Sequence, residues 1–230
     1  MAKNIIITGA KGNLGSAVVS KFLQEGHRVI AIDRGESPGT ADSAHPLFTW
    51  ITADLSEESL AQTVISDLLR SNERIDAALL LVGGFAMGTI QTTSGQELRR
   101  MFTLNFETAY FISRLLFPHM IANGYGRLVF IGARPALQPE DGKNMVAYSL
   151  SKSLLFTLAD LINAEAKGKN VVAAVLVPST LDTELNRKDM PGSDPSNWVK
   201  PGQVATILEF ICSENASVLR ESVYKAYNNA

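Results

Sequence analysis

Short apolar runs alternate with longer stretches of helical periodicity from one end of the chain to the other. Residues 4–8 are a β-branched run that reads as a buried strand. A glycine-rich turn follows, and apolar positions then recur at helical spacing over about 16–25, ended by Gly26. A second strand is predicted at 28–33, a Gly/Ser/Pro-rich loop at 34–46 and a third strand at 48–52. A helix is predicted over 56–70 with Ser56 as its N-cap. The continuous apolar run 75–82 reads as strand four and ends in Gly83-Gly84. A long helix is expected over about 95–120, disturbed at Pro118. Strand five at 126–131 leads through a loop at 132–144 into a helix bearing Tyr148, which ends near Gly168. Strand six at 171–177 stops at Pro178, and a polar loop covers 178–200. A last helix at 201–213 and a last strand at 222–227 complete the pattern. Most of the strands are apolar on both faces. The expected class is therefore α/β: one Rossmann-type doubly wound parallel sheet with helices on both faces, as a single domain over residues 1–230.

Composition narrows the function. With 230 residues, 46% of them hydrophobic and 19% charged, the chain can bury one substantial core. A formal charge of −2 gives no electrostatic case for nucleic acid or an anionic membrane as partner. The longest apolar run, 171–177, is far too short to span a bilayer, and the start lacks the pattern of a signal peptide. Cys212 has no second cysteine to pair with, which fits a reduced, cytoplasmic setting and a core role. His27, His45 and His119 are scattered without metal-ligand spacing, so no metal site is expected.

The candidate chemistry starts in the first turn, Gly9-Ala10-Lys11-Gly12-Asn13-Leu14-Gly15. Between a strand and a helix, Gly9 allows a tight turn, Gly12 a close approach to a pyrophosphate, and Gly15 close helix–strand packing. The helix terminus would add free N–H groups and partial positive charge. Asp33, at the tip of strand two, is placed to bond adenosine ribose hydroxyls and to repel a 2′-phosphate, favouring NAD (NADH) over NADP (NADPH). Lys11 and Arg34 could receive such a phosphate, or serve as solvated charges. Asp54, followed by Leu55, either faces the adenine or leads the next helix. Gly83 and Gly84 close strand four at the sheet edge where ligands bind in such folds. Asn105, in an apolar helical stretch, either holds a water in a proton relay or bonds neighbouring backbone. Tyr148 and Lys152 stand four apart, on one helix face. A free tyrosine titrates near pH ~10. A neighbouring ammonium is expected to lower that value and make the pair a proton donor and acceptor.

Taken together, these residues resemble the short-chain dehydrogenase/reductase family over essentially the whole chain. The resemblance rests on Thr8-Gly9 through Gly15, Asp33, Asp54-Leu55, Gly83-Gly84, Asn105, Tyr148 with Lys152, and Pro178 to Thr183. It implies that Tyr148 donates the proton, that Lys152 binds the nicotinamide ribose and tunes Tyr148, and that Asn105 supports the relay. It also implies that the segment with Pro178, Thr180 and Thr183 lines the nicotinamide. Two departures stand out. Asn13 fills the middle glycine position, and Ala133 stands where the family usually has a substrate-binding serine. Both are similar to the dihydropteridine reductase branch, as are Lys11-Gly12, Gly132-Ala133-Arg134, Gly83-Gly84-Phe85 and 180–191 with Trp198. That resemblance implies a pterin-like substrate, with Phe85, Ala133 and Trp198 as candidate substrate contacts, although both aromatics would serve equally as packing. It also implies a homodimer or homotetramer built on the two longest helices, with Leu154, Leu155, Leu158, Leu161 and Ile162 as a candidate face. Another carbonyl, quinone or imine as substrate, or a nucleotide-binding sensor without turnover, are the alternatives.

Overall fold

Isoleucine, valine and leucine fill the short runs, and the computed structural model turns each run into a strand; it describes residues 2–71 and 74–228. In chain order the elements are β1 (Asn4–Thr8), α1 (Asn13–Gln24), β2 (Arg28–Asp33), β3 (Phe48–Thr52), α2 (Glu58–Arg70) and β4 (Ala77–Leu80). Then come α3 (Gly95–Phe102), α4 (Thr108–Ala122), β5 (Gly126–Ile131), α5 (Pro139–Gly142) and α6 (Val146–Glu165). The chain continues through β6 (Val171–Pro178), α7 (Glu184–Asp189), α8 (Pro201–Cys212) and β7 (Val223–Ala226). The strands form one sheet in the order β3-β2-β1-β4-β5-β6-β7, and every pairing is parallel.

Successive residues of a strand point to opposite faces, so each strand feeds two cores. Ile6, Ile30, Leu80, Phe130 and Val175 pack with Ile65 of α2, Leu116 of α4 and Leu155 of α6. Ile5, Ile7, Val29, Leu79 and Leu176 pack on the other face with Phe22 of α1 and Leu208 of α8. Burial on both faces explains why these strands read as apolar runs rather than alternating ones. The strand order reverses between β1 and β4, which opens a crevice beyond their carboxyl ends.

Several boundaries differ from the sequence-based expectation, each for a reason visible in the contacts. Strand four is shorter than 75–82 because its ends bond elsewhere. The Ile75 N–H donates to His119 Nε2 (3.2 Å) and the Leu81 N–H to Thr8 Oγ1 (3.1 Å). Ser56 does not cap α2: its hydroxyl donates to Asp54 Oδ1 (2.6 Å) and Glu57 takes the cap position. The first helix begins three residues early, at Asn13, with Gly12 as its cap. The long helix runs unbroken through Pro118. Its irregularity is a π turn at Thr103–Glu107, centred on Asn105. The three expected loops also hold short helices. Among these, α7 is started by Thr183, whose hydroxyl accepts the Asn186 N–H (3.1 Å).

Candidate active site

The crevice begins at Gly9. Its φ is +64°, and a Cβ there would lie 3.0 Å from the Val82 nitrogen, so only glycine lets the turn press against the end of β4. A Cβ on Gly15 would lie 2.1 Å from the Gly9 carbonyl oxygen, so α1 can start this close only without a side chain. The first turn of α1 carries no acid and no side-chain cap. The N–H groups of its opening residues are therefore free donors aligned with the helix dipole. Leu14 packs beside the core, while Lys11 and Asn13 are exposed. This cradle fits a pyrophosphate.

Asp33 sits beside it. Its carboxylate accepts the backbone N–H of Lys11 (3.0 Å) and of Arg34 (2.8 Å), which fixes it at the rim of the turn. The side chains of Lys11 and Arg34 flank it in solvent. Asp54 accepts from the hydroxyl and the N–H of Ser56, and those bonds hold its carboxyl below the usual range. Leu55 turns inward to the core.

The next layer is built by Asn105, which is 1% exposed. Its Oδ1 accepts the Gly84 N–H (2.9 Å), and its Nδ2 donates to the Gly84 carbonyl (3.1 Å) and to Ser151 Oγ (2.9 Å). The π turn thus pins the glycine pair after β4 to α6. Of the two roles open to Asn105, the structure displays the backbone-bonding one. A Cβ on Gly83 would meet Asn105 Oδ1 at 2.8 Å and Lys152 Nζ at 3.2 Å, which places Gly83 between them.

Lys152 Nζ donates to the Ile131 carbonyl at the end of β5 (2.7 Å). Burial lowers its pKa to about 8 and raises that of Tyr148 to about 12. The expected lowering of Tyr148 by the ammonium is therefore corrected. Desolvation penalises both charged forms, and no charge pairing between the two groups offsets it in this state. Tyr148 keeps its proton across the neutral range and is a donor, not an acceptor, there. Its ring stands edge-on to Phe85, with centroids 5.1 Å apart and planes at 70°.

Tyr148 opens into a cleft of about 1150 Å³. Phe85, Ala133, Pro178, Thr180 and Trp198 share its wall, so the structure brings the sequence-predicted substrate contacts to one place. Thr183 caps α7, its hydroxyl accepting the Asn186 N–H (3.1 Å). The sequence reading gave no place on the wall to three methionines, Met87, Met145 and Met190, or to the pair Arg134 and Asp141. The methionines lie on three separate segments with no shared spacing. Arg134 was visible only as the residue after Ala133.

The profile of the short chain dehydrogenase family matches residues 3–193, and the chain belongs to that family as an NAD(P)-dependent oxidoreductase. Its relatives differ in what they act on. It is 29% identical over 208 residues to a dihydropteridine reductase of Dictyostelium discoideum, covering 89% of this chain and 85% of that one. It is 26% identical over 185 residues to the 2,3-dihydro-2,3-dihydroxybenzoate dehydrogenase of Escherichia coli, covering 80% and 72%. A solved 3-ketoacyl-(acyl-carrier-protein) reductase of Brucella melitensis, complexed with NADH, shares the fold at TM-score 0.85 and 21% identity, covering 97% and 96%.

Proposed function

We propose that the chain uses NADH to reduce a quinonoid dihydropterin, with Tyr148 as proton donor. The observation that carries this reading is the cleft wall. Ala133 offers no hydroxyl to an isolated carbonyl, while Phe85, Trp198 and three methionines offer flat or adaptable apolar surface. A conjugated ring spreads the incoming charge over its nitrogens and oxygen and needs no serine at that point. The dihydropteridine reductase of Dictyostelium supports the same reading.

The nicotinamide cofactor supplies the hydride when bound. The rest is the work of this chain. The α1 terminus and Gly12 hold the pyrophosphate, and Asp33 bonds the adenosine ribose and disfavours a 2′-phosphate. Lys152 bonds the nicotinamide ribose and keeps a buried ammonium in the site. The Tyr148 hydroxyl gives its proton to a ring nitrogen of the acceptor. Asn105 holds Gly84 and α6 in register around them. Pro178 and Thr180 close the nicotinamide side. Another planar acceptor, such as a quinone, is the second reading, favoured by the same flat apolar wall. A panel decides between them: quinonoid dihydropterin, a quinone, an aliphatic ketone and an acyl thioester, each at matched concentration. The pterin is expected to give the highest kcat/KM. A preference for the ketone or the thioester would overturn the reading.

The chain is further proposed to act in the cytoplasm as a dimer or tetramer packed through α4 and α6. Leu155 and Ile162 are used by the sheet, but Tyr110, Leu150 and Leu161 remain exposed on these helices.

A further inference from the structure

The loop that carries Ala133 is more rigid than its composition suggests. The Ala133 carbonyl accepts the Ala136 N–H (3.0 Å), and the Arg134 carbonyl accepts those of Leu137 (2.9 Å) and Gln138 (3.0 Å). Gly142 closes it: a Cβ there would meet the Pro135 carbonyl oxygen and Ser149 Oγ, both at 2.8 Å. The loop is thereby seated on α6 at Ser149, the residue next to Tyr148.

Arg134 is the charged product of this scaffold. Its Nε donates to Asp141 Oδ2 at 2.7 Å, and its guanidinium lies over the Tyr227 ring at 5.8 Å. Tyr227 is itself held, since its carbonyl accepts the Ser179 hydroxyl (3.1 Å). The side chain is 35% exposed and lines the cleft together with Tyr148. Among the described residues neither terminal nitrogen of Arg134 has a protein partner. A planar cation anchored at Nε and backed by a ring thus presents unused N–H donors beside the acceptor site. The other charges on this wall are Asp141, which anchors it, and Asp189.

We infer that Arg134 is the electrophilic donor of this active site, standing in for the hydroxyl that Ala133 lacks. Its terminal N–H groups bond an oxo group conjugated to the hydride-accepting position of a planar ring. As the ring takes the hydride, negative charge shifts onto that oxygen and the guanidinium holds it. Tyr148 then protonates a ring nitrogen, so acceptor plus hydride plus proton gives the two-electron-reduced ring, which for a quinonoid dihydropterin is the tetrahydropterin. The substrate class follows: a flat acceptor with a ring oxo group, bound in preference to the same ring bearing an amino group there. Asp141 is a positioning residue that fixes the guanidinium plane. The inference rests on the proposed reading for the pterin, but Arg134 would serve any conjugated oxo acceptor.

The test compares wild type with Arg134→Met, Arg134→Lys and Asp141→Asn. A fluorescence titration without turnover uses 2-amino-4-oxopteridine and 2,4-diaminopteridine as probes. Wild type is expected to prefer the oxo ring by roughly 10-fold or more, the range of one hydrogen bond to a charged group. Arg134→Met should abolish that preference and lower kcat/KM at least roughly 10-fold, with NADH affinity and Tm near wild type. Arg134→Lys should recover part of it, and Asp141→Asn should lose less than Arg134→Met. An Arg134→Met protein with unchanged ring preference and kcat/KM overturns the inference while leaving pterin reduction standing. Equal losses of Tm and rate in Arg134→Met and Asp141→Asn also overturn it, by showing a mere loop staple. If wild type reduces a quinone but not the pterin, the pterin reading fails alone. The Arg134→Met rate with that quinone then sustains the inference if it falls and overturns it if it does not.

Discussion

At the residue scale, Tyr148 and Lys152 show how burial sets protonation. Lys152 titrates at about 8 in the folded chain. An unfolded lysine titrates near ~10.4. Between those values the unfolded chain binds more protons, so the Lys152 contribution to stability rises with pH across this window. Below it the cost of holding the ammonium in place is roughly 3 kcal/mol. Lys152→Met is therefore expected to lose turnover yet raise Tm at pH 7 by roughly 5 °C or more, a gain that fades by about pH 10. Thermal melts at both pH values check this. A lower Tm at pH 7 would mean that the bond to the Ile131 carbonyl outweighs desolvation. The same titration predicts that kcat/KM falls as pH rises through about 8, where the buried Lys152 ammonium is lost. A profile flat to pH 10 would remove the charge from the mechanism.

At the element scale, the site depends on two close approaches. Gly15→Ala puts a Cβ 2.1 Å from the Gly9 carbonyl oxygen, so α1 must retreat from the turn. NADH affinity is expected to fall at least roughly 10-fold, while Gly192→Ala, in open space, leaves it unchanged; a titration of NADH fluorescence reads both. Asn105→Leu keeps the branching and number of side-chain heavy atoms but strips the Gly84 N–H and carbonyl and Ser151 of their partner. It is expected to cost roughly 2–4 kcal/mol in urea unfolding, and a loss below about 1 kcal/mol would show that water replaces the amide. The strands were legible in the sequence because apolar runs flanked by Gly and Pro carry their own boundaries. What was not legible was decided by particular side-chain contacts, most of them distant in sequence. His119 and Thr8 shorten β4, Asp54 takes the Ser56 hydroxyl, and Gly84 draws Asn105 into a π turn that no helical period announces. Gly9, Gly12, Gly15 and Asp33 were legible as a local motif. The opposed pKa directions of Tyr148 and Lys152 were not, because burial depends on α6 meeting β5.

At the scale of the whole molecule, the doubly wound sheet places every proposed role at one edge: the α1 terminus, the glycines after β4, the Ala133 loop, Tyr148 and the end of β6. Helices α4 and α6 face away from α1 and α8 and leave Tyr110, Leu150 and Leu161 exposed, with Leu161 at 63%. Association through this face predicts that Leu161→Glu shifts the molar mass by light scattering toward the monomer, with secondary structure retained. An unchanged mass would place any interface elsewhere. The central claim is reduction of a pterin ring by NADH with the Tyr148 proton. Its most direct test is the initial rate of NADH oxidation, with NADPH in parallel, on chemically generated quinonoid dihydropterin. The non-enzymatic rate is subtracted and Tyr148→Phe serves as control. A saturable rate, greater with NADH and reduced roughly 100-fold or more in the control with NADH binding retained, is the predicted result. No rate above background, or an equal rate in Tyr148→Phe, would contradict the account.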